Sequence, residues 1–480
     1  MSIATPDWVK DAVFYQIFPD RFAKSARLTK PANIQPWDAR PTRHNFLGGD
    51  LLGIVEKLDY LVDLGVNAIY LNPIFASASN HRYHTHDFYQ IDPLLGGQPA
   101  FQELLRAAHA RNLRVIIDGV FNHASRGFFQ FNHLLECGAE SPYIDWFHVE
   151  RWPVNAYNEH ERPNYWAWWG LHALPKLNTN NPQVREFLWG VGAHWLEQGV
   201  DGWRLDVPSE IDDDVFWQEF RRRCRAVNPE AYIVGELWHE AERWLQGDQF
   251  DGQMNYLFTR AAFSFFLGEQ MDQSDSARTG YGLIQPRDGW QFLAELARLC
   301  NELYHPEIVQ AQMLMLGSHD TPRVMTIAQG DKTAVRLMFL CQMTLPGAPN
   351  IYYGDEIGMW GHGEPDSRRA FPWHNERSWN VSLRAEVKRY IQLRQRTPAL
   401  RRGSFRPLLA ADRVAVYQRQ YENQTAIVAF NLGEQSVRLQ IPWPADAPAR
   451  LRDGLKAQGE EISAESILTL PGRSGTVWVS

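Results

Sequence analysis

The chain is predicted to be an α/β protein: an eight-stranded parallel (β/α)8 barrel (TIM barrel), with a small domain inserted after the third strand and an all-β sandwich domain at the C-terminus. Three observations predict it. Short β-rich runs alternate with helical segments through most of the chain. One interval, between the third and fourth runs, is too long for a single crossover helix. After about residue 400 the texture turns to apolar–polar alternation joined by turn residues.

The runs, in order, are AVFYQIFPDRF (12–22), GVNAIYLNPIF (65–75), LRVIIDGVF (113–121), GVDGWRLDV (199–207), AYIVGEL (231–237), MNYLF (254–258), QMLMLGSHD (312–320) and NIYYGDEIG (350–358). Between many of them lie stretches such as DLLGIVEKLDYLVDLG (50–65) and PAFQELLRAAHARN (99–112), apolar at three- and four-residue steps and ended by Gly or Asn. A doubly wound open sheet is the rival, disfavoured because no Gly-rich phosphate loop follows the first strand. The domains are read as 1–123 and 181–398 for the barrel, 124–180 for the insertion and 399–480 for the β domain. The insertion is rich in Phe, Trp, His and Pro and is expected to overhang the strand ends. RVAVYQRQY, TAIVAFNL, SVRLQIP and GTVWVS are the C-terminal strands.

With 480 residues, 44% hydrophobic and 22% charged, the composition is that of a globular protein with more than one core. A net charge of −8 and no basic stripe exclude an electrostatic case for nucleic acid. No export signal and no membrane span are expected: the N-terminus has no basic region before an apolar run, and LMFLCQMTLPGAP (337–349) is short and broken. Four scattered cysteines without zinc spacing then predict reduced thiols in a cytoplasm. Nineteen tryptophans suit either sugar stacking or a large core.

In a (β/α)8 barrel chemistry sits at the C-terminal ends of the strands. The fourth run ends in Asp206, the fifth in Glu236, the seventh in His319 and Asp320, and the third in Asp118 and FNH. Three carboxylates on three strands can converge on one cleft, the arrangement of a glycosidase, which in retaining enzymes needs carboxyl groups about 5 Å apart. Arg204 and Asp206 share a strand face, so the guanidinium is expected to lower the carboxyl pKa and keep a nucleophile ionised. The apolar surroundings read for Glu236 are expected to keep its proton on, as a general acid needs. The plain structural alternatives are a barrel-holding ion pair for Asp206, a cap or surface glutamate for Glu236, and a turn aspartate for Asp320.

DGVFNH (118–123), GWRLDV (202–207), GELW (235–238) and GSHDTPR (317–323) resemble the four signature segments of the α-amylase superfamily, glycoside hydrolase family 13, in order, and GDEIG (354–358) resembles a further one. LPKLN (174–178), YWAWWGLHALPKLN (165–178) and GELWHEAERWLQGDQFDGQMNY (235–256) resemble its neopullulanase, maltogenic amylase and cyclomaltodextrinase group. The resemblance implies a retaining α-glucan hydrolase acting on α-1,4 links in cyclodextrins, maltooligosaccharides and pullulan or starch, with transglycosylation. It implies Asp206 as nucleophile, Glu236 as acid and base, and Asp320 as transition-state stabiliser. Arg204 holds Asp206 ionised, His123 and His319 bond the sugar at the cleaved link, Tyr83 stacks on that sugar, Trp238 lines the acceptor side and Arg368 contacts the donor side. Trp152, Trp166, Trp168 and Trp169 read as packing of the insertion.

No cofactor is required. Calcium stays an open expectation: Asn122 matches a calcium position of some α-amylases, yet AKSARLTKPANI (23–34) lacks the Asn/Asp-rich ligands of relatives. His81, His84 and His86 read as ordinary polar positions rather than metal ligands. Glu364 stands where Asp is usual. The chain starts almost at the first barrel strand, so the group's extra N-terminal β domain, with its dimer mode and narrow cleft, is not carried over. Oligomeric state and preferred glucan are not set by these motifs. The alternatives are a glucosyltransferase or trehalose-forming isomerase of the same superfamily, which LPKLN disfavours, and a non-catalytic sugar-binding protein, which retention of all three acids disfavours.

Overall fold

The computed structural model describes residues 3–456 and 459–480. Eight parallel strands close into a barrel: β1 (Phe14–Ile17), β2 (Ala68–Leu71), β3 (Arg114–Gly119), β4 (Gly202–Leu205), β5 (Tyr232–Gly235), β6 (Gly252–Asn255), β7 (Met313–Met315) and β8 (Ala348–Tyr352). Neighbours follow chain order, and β8 closes onto β1 with Ile351 opposite Tyr15. Six of the eight lie within their predicted runs, while β6 and β8 each begin two residues before theirs. Seven of the eight are buried throughout and β3 is exposed only at Arg114, which is why they read as nearly continuous apolar runs. Polar residues in or just past such strands, among them Gln16, Asn72, Asp118 and Arg204, need partners inside the barrel.

Helices cover the outside. Gly97–His109 buries Ala100, Phe101, Leu104, Leu105 and Ala108 on one face and ends with Arg106 and His109 in its last turn. Each large apolar side chain so buried contributes about 1.5–3 kcal/mol. The periodic stretch 50–65 differs from the single helix its pattern suggests: it forms Leu51–Val55 and Leu58–Leu64. Asp50 caps the first piece through the Gly53 N–H (2.7 Å). Gly53 is pressed on the backbone of Ala23, where a Cβ would lie 2.3 Å from the carbonyl oxygen. Among the described residues no helix is long and apolar enough to cross a membrane.

Between β3 and β4, residues 124–180 hold one helix of two and a half turns, Phe129–Cys137, and short 3-10 turns. Isolated bridges pair His123 with Lys176, Phe147 with Leu177, Val149 with Tyr165 and Ala167 with Pro175. Phe131, Leu134, Trp146, Phe147 and Tyr165 form its interior. Trp152 packs against this core, as expected. Trp166 and Trp169 do not: both are exposed, which corrects the packing expectation for them.

At the C-terminus six strands form one sheet in the order β9 (Ser404–Ala411), β10 (Val414–Tyr421), β11 (Gln424–Asn431), β14 (Ser474–Val479), β12 (Arg450–Asp453), β13 (Glu461–Ser463). A two-stranded pair, Val437–Gln440 with Ile467–Leu470, packs over one face. Alternation along the central strands serves two cores. Ala415, Tyr417, Ala426, Val428 and Phe430 join the barrel's core. Val414, Val416, Ile427 and Ala429 join the outer one. Two buried arginines staple the junction. Arg394 donates to the carbonyls of Met343, Leu345 and Leu400, and Arg419 to those of Leu400, Gly403 and Ser404. Met343 lies at the C-terminus of helix Lys332–Thr344, where the helix dipole favours a cation.

Candidate active site

The strand ends meet on one guanidinium. Arg204 and Asp206, two residues apart, point the same way, and Arg204 Nη1 lies 3.0 Å from Asp206 Oδ1. The same nitrogen donates to Asp118 Oδ1 from β3 (2.8 Å). Arg204 Nη2 makes an ion pair with Glu236 Oε2 past β5 (3.0 Å). Nε faces Met254 Sδ on β6 (3.2 Å). Arg204 is fully buried, so it joins four strands rather than serving Asp206 alone.

Glu236 differs from its predicted apolar setting. Besides the ion pair, its Oε2 accepts the Val207 N–H (3.0 Å) and its Oε1 accepts the Trp238 indole N–H (3.1 Å). The apolar residues of the run turn into the barrel wall, while the carboxylate reaches the polar mouth. Val207 has φ 35 and ψ 51, a left-handed conformation rare for a β-branched residue. Holding it costs about 1–3 kcal/mol and accompanies an N–H aimed at Glu236. Trp238 is clamped by Tyr256, stacked at 3.6 Å and 3°, and by Gly280, where a Cβ would sit 2.4 Å from the indole.

Asp320 follows β7. Its Oδ1 accepts from Arg368 Nη2 (3.2 Å) and its Oδ2 faces His319 Nε2 (3.2 Å). Arg368 also donates to Glu364 (2.9 Å) and to the His319 carbonyl (2.9 Å), so Glu364 reaches Arg368 despite the departure from Asp. Gln16 in β1 and Asn72 just past β2 aim their amide nitrogens at His319 Nδ1 (2.9 and 3.1 Å). That assigns the ring proton to Nε2, which lies 2.6 Å from the Tyr83 hydroxyl. Tyr83 in turn donates to Asp118 Oδ2 (2.8 Å), as does Tyr70 (2.7 Å). The Tyr83 hydroxyl is thus fixed and its ring is half-buried. His123, past β3, stacks on Trp168, and its Nε2 is buried without a protein partner. Burial lowers the pKa of His123 to about 3 and that of His319 well below the usual range, so both are neutral.

The electrostatics correct the expectation for Asp206. Burial drives its pKa well up, Arg204 pulls it down, and Glu236, Asp118 and Asp320 push it up again; the net direction is upward. Burial likewise raises Asp118, and burial with Glu236 raises Asp320 to about 7. Among the described residues, the guanidiniums paired with Asp118, Asp206, Glu236 and Asp320 are those of Arg204 and Arg368. Burial, with repulsion between neighbouring carboxylates, holds protons on Asp118, Asp206 and Asp320 to higher pH than usual.

Asp206, Glu236, Asp320, Tyr83, Arg204, Trp238, His319 and Arg368 are joined at this mouth, with His123 past β3 beside it. Asp118 is among the polar strand-end candidates read from the sequence, without an assigned role, while Gln16, Asn72 and Tyr70 are not. Their signal was a polar atom at the end of an otherwise apolar strand. His81, His84 and His86 do not gather as a metal site; among the described residues the three-ligand group is Asp272, Asp275 and His362. Asn122 Oδ1 is buried without a partner, but no trio of acidic or histidine ligands surrounds it among the described residues.

Residues 16–402 match the family described as Alpha amylase, catalytic domain, and residues 403–462 match Alpha-amylase C-terminal domain. The chain is 42% identical to the cyclomaltodextrinase of Geobacillus thermopakistaniensis strain MAS1 over 96% of its own length and 75% of the relative's. It is 44% identical to neopullulanase 2 of Thermoactinomyces vulgaris, over 91% and 72%. The crystal structure of the Nostoc punctiforme debranching enzyme soaked with acarbose superposes with a TM-score of 0.90 at 46% identity, covering 100% of both chains. A match across the barrel, its strand-end residues and the terminal sheet places the chain in the α-amylase family.

Proposed function

We propose that the protein is a retaining α-glucan hydrolase that cleaves α-1,4-glucosidic bonds in cyclomaltodextrins, maltooligosaccharides and pullulan or starch, with transglycosylation. The carrying observation is that Asp206 and Glu236 share adjacent nitrogens of one guanidinium, with Asp320 joined to the same network. Close spacing of the pair favours retention, which needs about 5 Å. The names of the cyclomaltodextrinase, the neopullulanase and the debranching enzyme support the substrate class.

In the first step Asp206 attacks the anomeric carbon while Glu236 gives its proton to the departing glycosidic oxygen. The glycosidic bond breaks and an ester to Asp206 forms. In the second, Glu236 takes a proton from water, the water oxygen bonds to the anomeric carbon, and Asp206 leaves as a carboxylate. A sugar hydroxyl in place of water gives transfer. Asp320 and Arg368 hold the donor sugar's hydroxyls, His123 and His319 bond it as neutral imidazoles, and Tyr83 flanks it. Trp238 lines the acceptor side and fixes Glu236. This chemistry needs no cofactor. A cytoplasmic setting is part of the proposal, supported by four free cysteines, one of them exposed.

Product profiles on β-cyclodextrin, pullulan and starch test the reading. Release of α-configured maltooligosaccharides from at least one is expected; no cleavage of any of the three overturns it. The pH profile supplies a second check. Arg368 holds the Asp320 pKa down against burial and Glu236. Arg368→Met removes a cation, favours the neutral carboxyl and moves the kcat/KM inflection from near 7 to higher pH. An inflection that stays in place, measured on the residual activity, separates Arg368 from Asp320's titration.

A further inference from the structure

A ladder of rings leads from the site to solvent. His123 lies 5.2 Å from Trp168 with planes 17° apart, and Trp168 lies 4.5 Å from Trp169 with planes 10° apart. His123 is enclosed and Trp168 half-buried, but Trp169 is 80% exposed. Its backbone is left-handed, φ 52 and ψ 21, a conformation suited to Gly or Asn and uncommon for an aromatic residue. Burial does not account for a large apolar ring displayed at a strained position. Strain of this kind gathers at ligand-binding positions.

The inner rungs carry a second, independent feature. His123 Nε2 and Trp168 Nε1 are both buried with no protein hydrogen-bond partner. Such atoms call for a partner that arrives with a ligand. A glucan matches both features, because its hydroxyls hydrogen-bond and the C–H face of each glucose lies flat on an indole. The bridge from His123 to Lys176 anchors this loop to the end of β3, so the ladder is fixed to the catalytic strands.

We propose that Trp169 is a stacking platform for a glucose ring outside the central pocket, through which the inserted segment selects longer or cyclic glucans over short ones. The proposal rests on the α-glucan reading above and adds a specificity-determining residue to it.

The test compares Trp169→Ala and Trp169→Asn with the parent on maltotriose, maltoheptaose and β-cyclodextrin. Asn accepts the left-handed backbone, so it removes the ring without adding strain. KM for maltoheptaose and β-cyclodextrin is expected to rise about tenfold, the size of one lost aromatic contact, with less than a twofold change on maltotriose. Melting temperatures should match the parent's, with Asn at or above it. Equal KM values for parent and variants on the long substrates overturn the proposal, as does an equal rise on all three. A changed sedimentation coefficient with unchanged KM assigns the ring to a contact between copies of this chain and also overturns it. A parent that cleaves no α-glucan removes the functional reading itself, a result distinct from these.

Discussion

Asp206→Asn should lower turnover of every α-glucan by about 10⁴-fold or more, the scale seen when a covalent nucleophile is removed. Glu236→Gln should cost about 10²–10⁴-fold on the same substrates, and the two losses separate by leaving group. Fluoride departs without a proton. On α-maltosyl fluoride, Glu236→Gln is therefore expected to release a rapid burst of one fluoride per enzyme and then stall, because the amide cannot take a proton from water. Azide needs no deprotonation; it should restart turnover and give an α-glycosyl azide, the configuration that two inversions produce. Asp206→Asn should show neither burst nor rescue, because it cannot form the ester. Folding is checked by melting temperature. A fluoride burst retained in Asp206→Asn shows that Asp206 is not the nucleophile.

The barrel is legible because its strands are buried on both faces and so appear as apolar runs. The shared direction of Arg204 and Asp206 is legible too, since strand alternation dictates it. What the run could not show is how many neighbours compete for that arginine. Asp118 and Glu236 are 86 residues behind and 32 ahead of it, and only closure of the barrel brings them onto the same guanidinium. Burial first, and then these neighbouring carboxylates, reverse the expected lowering of the Asp206 pKa. Glu236 illustrates the same limit: its chain neighbours are apolar, but its spatial neighbours are Arg204, the Val207 N–H and the Trp238 indole. The left-handed Val207 has no signal in a β-branched residue that favours strands. Gln16 and Asn72 were visible as polar residues at the ends of β1 and β2, yet their shared target, His319, lies far along the chain.

Arg204→Met should destabilise the protein by about 3–5 kcal/mol, the cost of leaving buried charges unpaired, and abolish activity. The variant strands Asp118, Asp206 and Glu236 without their common cation. The loss must depend on pH. Burial already raises the carboxyl pKa values of Asp118 and Asp206, and Arg204 opposes that rise. Its removal raises them further. A carboxyl with a folded pKa above its unfolded value contributes stability that is present below the unfolded value, near 4, and is lost as pH climbs through the folded value. The variant should therefore melt close to the parent at pH 5 and well below it at pH 8. Adding Asp118→Asn removes one stranded charge and should recover more than 1 kcal/mol at pH 8 but little at pH 5, a coupling that a double-mutant cycle reads directly. Arg204→Lys should not rescue activity, because one ammonium cannot span the positions that the planar guanidinium holds apart. An equal melting-temperature gap at both pH values would instead trace the loss to packing of the side chain against Met254, and the three carboxylates would not owe their proximity to Arg204.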